Sequence, residues 1–181
     1  LYVDTNHLKP LAWVRQFSGR TIVLHQGRYV EGRGLREAVL SARYLPDNVV
    51  LVFRGYGPIE SELRQVVASH DLHRRVVFLS PVPMNELVLN AVGAHLGLVL
   101  YTPVNYNNLY AAPNKMFEYI MAGVPPVSSD IPYAREIVVE NSLGNVFKPG
   151  DSQDMAKVIL NLIGNPDHLQ LLSSKCLMQA K

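Results

Sequence analysis

The chain has 181 residues, of which 48% are hydrophobic and 18% charged, with a formal net charge of +2. This length and composition predict one globular domain with a core that needs no disulfide or metal to hold it. The small net charge argues against nucleic acid and anionic membranes as partners. No apolar stretch approaches the roughly 20 residues of a membrane span, so we expect no transmembrane segment.

Residue types that bind metals or form disulfides are sparse. The single cysteine, Cys176, cannot form an internal disulfide, which fits a reducing compartment. It follows Leu172 in a helical pattern, so we expect a small core residue and not a reactive thiol. The six histidines show no spacing typical of metal ligands, and we predict neither a metal nor another cofactor.

Residues 1–20 contain no strand pattern. Apolar residues recur there at helical spacing and predict a short lead-in helix through Leu8, Leu11, Val14 and Phe17. We interpret residues 1–20 as a lead-in or linker segment and residues 21–181 as the folded domain.

From residue 21 onward, short β-branched apolar runs alternate with longer helical patterns, as in a parallel sheet with helices on both faces. Six runs predict strands: Thr21–His25, Val49–Arg54, Val76–Leu79, Leu96–Tyr101, Pro126–Ser128 and Asn145–Phe147. Right-handed crossovers between them predict an α/β fold, a Rossmann-like doubly wound sheet in the order 3-2-1-4-5-6. Near the end of the chain, Asp151 is a candidate N-cap for a helix that stops at Gly164.

The predicted strand order locates a ligand site. In such a sheet the loops after strands 1 and 4 flank the crevice where the order reverses, and ligands bind there. These loops are Gly27–Gly34 and Thr102–Pro113, and both have unusual sequences. Two independent observations therefore indicate one place.

The loop Gly27–Gly34 holds three glycines and two arginines between a strand and a helix. Glycines allow close approach of the backbone to a ligand, and arginines suit a diphosphate. A flexible turn with two solvated arginines is the alternative interpretation. An NAD site is disfavoured, because G-x-G-x-x-G is absent and the second strand runs into Arg54–Gly57 without an acidic residue.

The segment from Pro113 to Val127 predicts a helix that begins at a proline, ends at Gly123 and leads into a buried strand. Lys115 lies in its first turn, where the helix dipole disfavours a cation unless an anion binds there. Glu118 lies one turn further among apolar residues, and ribose hydroxyls could satisfy its carboxylate. An internal Lys115–Glu118 pair is the alternative.

Four motifs now stand in register: Gly27-Arg28 with Arg33-Gly34, then Phe53–Gly57, then Val77–Ser80, then Pro113-Asn114-Lys115 with Glu118 and Gly123-Val124-Pro125. In order and spacing they resemble the C-terminal half of the retaining GT-B glycosyltransferases of family 4, the glycosyl transferases group 1. The resemblance extends from about Gly19 to the end of the chain.

The resemblance implies a role for each matching position. Arg28 and Arg33 would be the catalytic residues, which hold the diphosphate of a nucleotide-sugar donor and stabilise charge on the departing nucleotide. Glu118 would bind the ribose hydroxyls, and the turn after Phe78 would border the base. The expected donor-binding residues are Gly27, Tyr110, Ala111, Ala112, Pro113, Asn114, Lys115 and Glu118.

Two positions depart from the family pattern. Arg33 stands where the family usually has lysine, so the charge is kept while its geometry changes. Tyr110 stands where the family often has a glutamate that touches the donor sugar, which leaves the identity of the sugar open. Asn107 and Asn108 could supply polar contacts instead.

The resemblance therefore implies the donor-binding domain of a retaining glycosyltransferase. A missing N-terminal domain would hold the acceptor, a glycan or a lipid-linked saccharide, so this fragment alone should bind but not turn over. We expect a cytoplasmic location, where the full-length enzyme could be peripheral at the inner membrane face. Two alternatives stay open: a UDP-sugar epimerase of the same plan, and a non-catalytic binding relic.

Overall fold

A computed structural model describes residues 11–180 and shows one six-stranded, all-parallel sheet. Its strand order is β3-β2-β1-β4-β5-β6, which confirms the predicted Rossmann-like α/β fold. The strands are β1 (Thr21–Arg28), β2 (Val49–Tyr56), β3 (Val76–Leu79), β4 (Leu96–Val99), β5 (Pro126–Ser129) and β6 (Asn145–Phe147).

Nine α-helices within residues 11–180 surround the sheet, with short 3₁₀ turns at Ala42–Tyr44 and Met84–Glu86 and a π-helical segment at Arg135–Glu140. The helices are α1 (Ala12–Arg15), α2 (Leu35–Ser41), α3 (Glu60–Ser69), α4 (Leu87–Ala91), α5 (Tyr106–Leu109), α6 (Asn114–Met121), α7 (Pro132–Ala134), α8 (Ser152–Ile163) and α9 (Pro166–Gln179). Asp151 caps α8 by accepting hydrogen bonds from two backbone amides, as predicted, and Gly164 ends that helix.

The core consists of two apolar layers, one on each face of the sheet. Alternate residues of β1 point to opposite layers, because successive side chains of a strand face opposite ways. Val23 belongs to the layer under α2, α3 and α8, and Leu24 to the layer under α6. Cys176 is fully buried in the second layer, and burial raises the pKa of its thiol to about 12. The prediction of a core cysteine is confirmed.

Within the described residues, the predicted lead-in helix is represented by α1, which has four residues. Leu8 lies outside the described residues. Trp13 and Phe17 are buried in the second core layer, and the Arg54 guanidinium lies 4.9 Å from the centroid of the Trp13 ring. These contacts attach α1 to the sheet.

Glycines within the strands let backbone and helices approach the sheet closely. A Cβ at Gly55 would overlap the Gly27 carbonyl, and one at Gly97 would overlap the Tyr119 ring. Because Tyr119 lies in α6, the contact with Gly97 draws that helix down onto β4. This contact thereby fixes how far the first residues of α6 lie from the sheet.

Candidate functional site

A cleft of about 590 Å³ opens at the carboxyl edge of the sheet, beside the reversal of strand order between β1 and β4. This is the place predicted from the strand order. Residues from β1 and its loop, from α4, and from the start of α6 form its wall: Gln26, Gly27, Arg28, Val30, Arg33, Met84, Leu87, Tyr101, Asn114, Lys115 and Glu118.

The glycines of the first loop have conformations that this loop requires. Gly27, Gly32 and Gly34 have φ values of 129°, 70° and 68°, which other residues rarely adopt. They turn the chain sharply between β1 and α2. The turn places Arg28 and Arg33 in the wall of one cleft.

Both arginines of this loop lie on aromatic rings. The Arg33 guanidinium is 4.1 Å from the centroid of the Tyr101 ring, and that of Arg28 is 5.8 Å from the Tyr56 ring. Within residues 11–180 neither arginine forms an ion pair with a carboxylate. Within residues 11–180 their positive charges are therefore not neutralised by a carboxylate, and the close contact of Arg33 with Tyr101 is a cation–π contact.

Lys115 brings a third positive charge to the same wall. Its Nζ lies over the backbone of β1, 3.3 Å from the point that a Cβ at Gly27 would occupy. Burial, and to a smaller extent the charge of Arg33, lower the pKa of Lys115 to about 8, although Glu118 acts in the opposite direction. An ammonium group whose pKa is lowered in this way gains from an added anion.

Glu118 is half-buried one turn after Lys115. Burial raises the pKa of its carboxyl, while the charge of Lys115 lowers it. No ion pair or hydrogen bond joins Glu118 to another side chain in the described part of the chain, so the alternative of an internal Lys115–Glu118 pair is not formed as a contact. The carboxylate can accept hydrogen bonds from a ligand in the cleft.

The loop between β4 and α6 braces the arginine loop. The Asn108 side-chain amide donates hydrogen bonds to the Gly32 and Thr102 carbonyl oxygens at 3.1 and 2.9 Å. The Thr102 amide also donates to the Gly32 carbonyl at 3.1 Å. Asn108, a candidate for sugar contact, thus uses its amide hydrogens to join two loops.

The remaining predicted donor-binding residues lie on the approach to α6. Tyr110 is 65% exposed and its ring stacks with Tyr106, the centroids being 6.4 Å apart. Pro113 is the N-cap of α6. None of Tyr110, Ala111, Ala112 and Pro113 is among the residues that form the cleft wall described above, whereas Gly27, Asn114, Lys115 and Glu118 are.

Two buried polar residues, Gln26 in the cleft wall and His25 beside it in β1, escaped the sequence analysis because an apolar strand pattern surrounds them. His25 and Gln26 are each 1% exposed, near the carboxyl end of β1. Burial lowers the pKa of His25 well below 6.5, and the charges of Lys115 and Arg33 add to this effect. A polar pair within a buried strand, directly before the glycine loop, was the signal that could have identified them.

The described residues also form cavities away from this edge of the sheet. A cavity of about 730 Å³ lies at the amino edge near Thr21 and His95, away from the edge where α/β sheets bind ligands. No group of three or more His, Cys, Asp or Glu side chains in this range is placed to share a metal ion. No helix there is long and apolar enough to cross a membrane.

A doubly wound parallel sheet with a basic cleft at the strand-order reversal defines an α/β domain of a ligand-binding type. Residues 13–175 match the family model described as glycosyl transferases group 1. Since this match covers most of the 181 residues, the chain belongs to that family, whose fold is of GT-B type.

A relative in sequence is the amylovoran biosynthesis glycosyltransferase AmsK of Erwinia amylovora. The two are 26% identical over 143 residues, which cover 77% of this chain and 35% of that protein. The chain therefore spans about a third of the length of this relative.

Similar folds occur in solved structures. Anabaena Alr3699/HepE, crystallised in complex with UDP and glucose, has a TM-score of 0.78 at 20% identity, over 92% of this chain and 45% of that one. The C-terminal domain of the glycosyl transferase group 1 family protein LpcC from Francisella tularensis has a TM-score of 0.73 at 16% identity, over 97% of this chain and 95% of that one. At these identities the likeness concerns the fold.

Proposed function

We propose that this chain is the C-terminal, donor-binding domain of a retaining family 4 glycosyltransferase, with residues 21–181 binding the nucleotide sugar. The carrying observation is the convergence of three cations, those of Arg28, Arg33 and Lys115, beside the carboxylate of Glu118. The similarity to the LpcC C-terminal domain over nearly its whole length supports the domain assignment. In this proposal residues 1–20 lead in from an N-terminal domain that binds the acceptor.

The charges of the cleft suit a nucleoside diphosphate better than a neutral ligand. A diphosphate would neutralise Arg28 and Arg33, which lack acidic partners in residues 11–180, and would raise the lowered pKa of Lys115. Glu118 would accept hydrogen bonds from the ribose hydroxyls. UDP bound to Alr3699/HepE, a protein of the same fold, is consistent with this choice of ligand.

The positively charged loop would also serve catalysis. As the bond between the anomeric carbon and the diphosphate oxygen breaks, its electron pair passes to the diphosphate. Two preorganised arginines would stabilise that developing charge without a metal ion. An acceptor hydroxyl would then form the new glycosidic bond on the same face and pass its proton to the departing diphosphate, which gives retention.

Three further points belong to the same proposal. The backbone amides of Ala111 and Ala112, before Pro113, and the side chains of Tyr110 and Asn114 would face the donor once it is bound. The acceptor would be a glycan or a lipid-linked saccharide, and the relative AmsK, named for amylovoran biosynthesis, favours a role in polysaccharide synthesis. The location would be cytoplasmic, at the inner membrane face for a lipid-linked acceptor.

A paired titration tests the proposal. We expect the chain to bind UDP, GDP or ADP more tightly than the matching nucleoside. Arg28→Ala or Arg33→Ala should weaken binding of the nucleoside diphosphate more than binding of the nucleoside. Each charge-assisted contact that is lost should cost about 1.5–3 kcal/mol. Calorimetry with UDP and uridine measures both effects.

Arg43→Ala is the matched control. Arg43 is an exposed arginine whose guanidinium lies 5.9 Å from the Tyr44 ring, much as Arg28 lies on Tyr56, but it is not part of the cleft wall. Equal weakening of UDP and uridine by Arg28→Ala would refute a phosphate site in this loop. Tight nucleotide binding without any transfer by the full-length protein would instead favour the non-catalytic relic.

A further inference from the structure

Gln26 is a buried polar residue in the wall of the cleft. Its backbone amide donates to the Tyr119 hydroxyl at 2.9 Å, and its side-chain Nε2 donates to the Leu87 carbonyl at 3.1 Å. Because the Leu87 carbonyl oxygen can only accept a hydrogen bond, the contact with Leu87 fixes which end of the Gln26 side-chain amide is nitrogen. The orientation of the side-chain amide is therefore defined by α4, through Leu87.

The other end of this amide has no partner. Gln26 Oε1 is buried and accepts no hydrogen bond within residues 11–180. A buried acceptor without a partner is unfavourable and rare in native proteins. The side chain belongs to the cleft wall, so a ligand can supply the missing donor.

The neighbours of Gln26 indicate which part of the ligand this is. Given the proposed function, the diphosphate lies at the arginine loop and the ribose at Glu118. The remaining stretch of the wall is apolar and is formed by Met84 and Leu87. A flat base fits this stretch, and Gln26 is bonded to Leu87 within it.

We propose that Gln26 is a specificity-determining residue whose Oε1 accepts a hydrogen bond from a ring N–H of the donor's base. Uracil N3–H and guanine N1–H have this chemistry. Adenine is normally read by a glutamine that offers both its oxygen and its nitrogen, but the nitrogen of Gln26 is engaged by Leu87. The inference rests on the proposed function, since it presumes a nucleotide in the cleft.

The test is a calorimetric cycle with methylated ligands. UDP and N3-methyl-UDP, and in parallel GDP and N1-methyl-GDP, are titrated into the wild-type chain and into Gln26→Met. We expect Gln26→Met to lower the affinity for the preferred nucleotide roughly 3- to 10-fold, the range for one hydrogen bond. Methylation of the ring nitrogen should lower the affinity of the wild-type chain at least as much, and should leave the affinity of the variant almost unchanged. Gln65→Met, at an exposed position of α3, should have no effect.

Different failures are distinguishable. A wild-type chain that binds none of these nucleotides refutes the proposed function together with this inference. Binding that is unaffected by ring N-methylation refutes the inference alone, and this arm requires no variant to fold. The inference also fails if ADP binds most tightly, or if Gln26→Met suppresses the effect of a 2′-deoxyribose, because the partner of Oε1 would then be a hydroxyl.

Discussion

The two edges of the sheet both carry arginines beside a cavity, yet they use them differently. At the amino edge, Arg20 donates to the carbonyl oxygens of Asp47, Val49 and Arg74 at 3.0, 3.0 and 2.8 Å. Arg75 pairs with Asp47 at 2.7 Å. At the carboxyl edge, Arg28 and Arg33 rest on aromatic rings and have no acidic partner within residues 11–180.

The arginines at the amino edge join chain segments of the fold. Those at the carboxyl edge are free to bind the ligand of the proposed function. The cavity that Arg20 and Arg75 line together at the amino edge is separate from the one near Thr21 and His95. It has a volume of about 650 Å³, similar to the 590 Å³ of the cleft at the carboxyl edge. Size therefore does not distinguish them. What differs is whether the protein itself supplies partners: Arg20 and Arg75 have hydrogen-bond or ion-pair partners within residues 11–180, whereas Arg28 and Arg33 have none there.

The largest expected effect follows from this contrast and concerns turnover. In the full-length protein, Arg28→Ala should lower kcat about 10²–10³-fold, the scale for loss of one preorganised charge-stabilising group. Arg33→Lys should be milder, because the charge is kept. Steady-state kinetics with the nucleotide-sugar donor gives both values.

Arg75→Ala is the counterpart at the amino edge. It should leave kcat unchanged and lower the free energy of unfolding by about 1 kcal/mol, since Arg75 donates to the Ala42 carbonyl and pairs with an exposed Asp47. If Arg28→Ala and Arg75→Ala reduced kcat equally, the distinction between the two edges would be lost.

The fold was predictable from the sequence because apolar runs and their spacing determine the sheet. The ends of the strands were less so. β1 and β2 extend beyond the predicted runs because Gly27 pairs with Gly55 and Arg28 with Tyr56. β4 is shorter than predicted, and the Tyr101 amide donates to the Ser129 side chain of β5 rather than to a backbone carbonyl of that strand. A side chain that takes the place of a backbone hydrogen-bond partner leaves no periodic pattern in the sequence.

The site was predictable where charges interrupt the pattern and hidden where they do not. Arg28, Arg33 and Glu118 stand out by residue type, and the fold brings them together. Gln26 did not, because its significance depends on which of its atoms lack a partner. Hydrogen-bond satisfaction is a property of the packed structure, which a single sequence does not display.

The next effect in size concerns Glu118, beside which the proposed function places the ribose. If Glu118 accepts from both ribose hydroxyls, Glu118→Ala should cost roughly 1.5–3 kcal/mol of nucleotide affinity, the range for hydrogen bonds to a charged group. The 2′,3′-dideoxy nucleotide should bind weakly to the wild type and be hardly changed by the substitution. Titration of both ligands decides the matter, and equal losses for the two would make Glu118 a structural residue.

The smallest effect compares two histidines, His25 and His95, by their pH dependence. Burial lowers the pKa of both His25 and His95, but only at His25 do the charges of Lys115 and Arg33 lower it further. The unfolded chain binds a proton to His25 near pH 6.5, whereas the folded chain does not. Stability attributable to this group is therefore complete above pH 6.5 and is lost as the pH falls below it.

We expect this group to contribute a slope of at most about 1.4 kcal/mol per pH unit below pH 6.5, the value for one proton. His25→Leu should remove that slope, and the exposed His73→Leu should not. Urea unfolding at pH 5.0–8.0, followed by the fluorescence of the single tryptophan, measures the three curves. Since His95 and the carboxylates are common to all of them, only the difference between curves is informative. Parallel curves for the wild type and His25→Leu would mean that the folded protein protonates His25 freely, and that the positive charge of the carboxyl edge does not reach the strand beneath it.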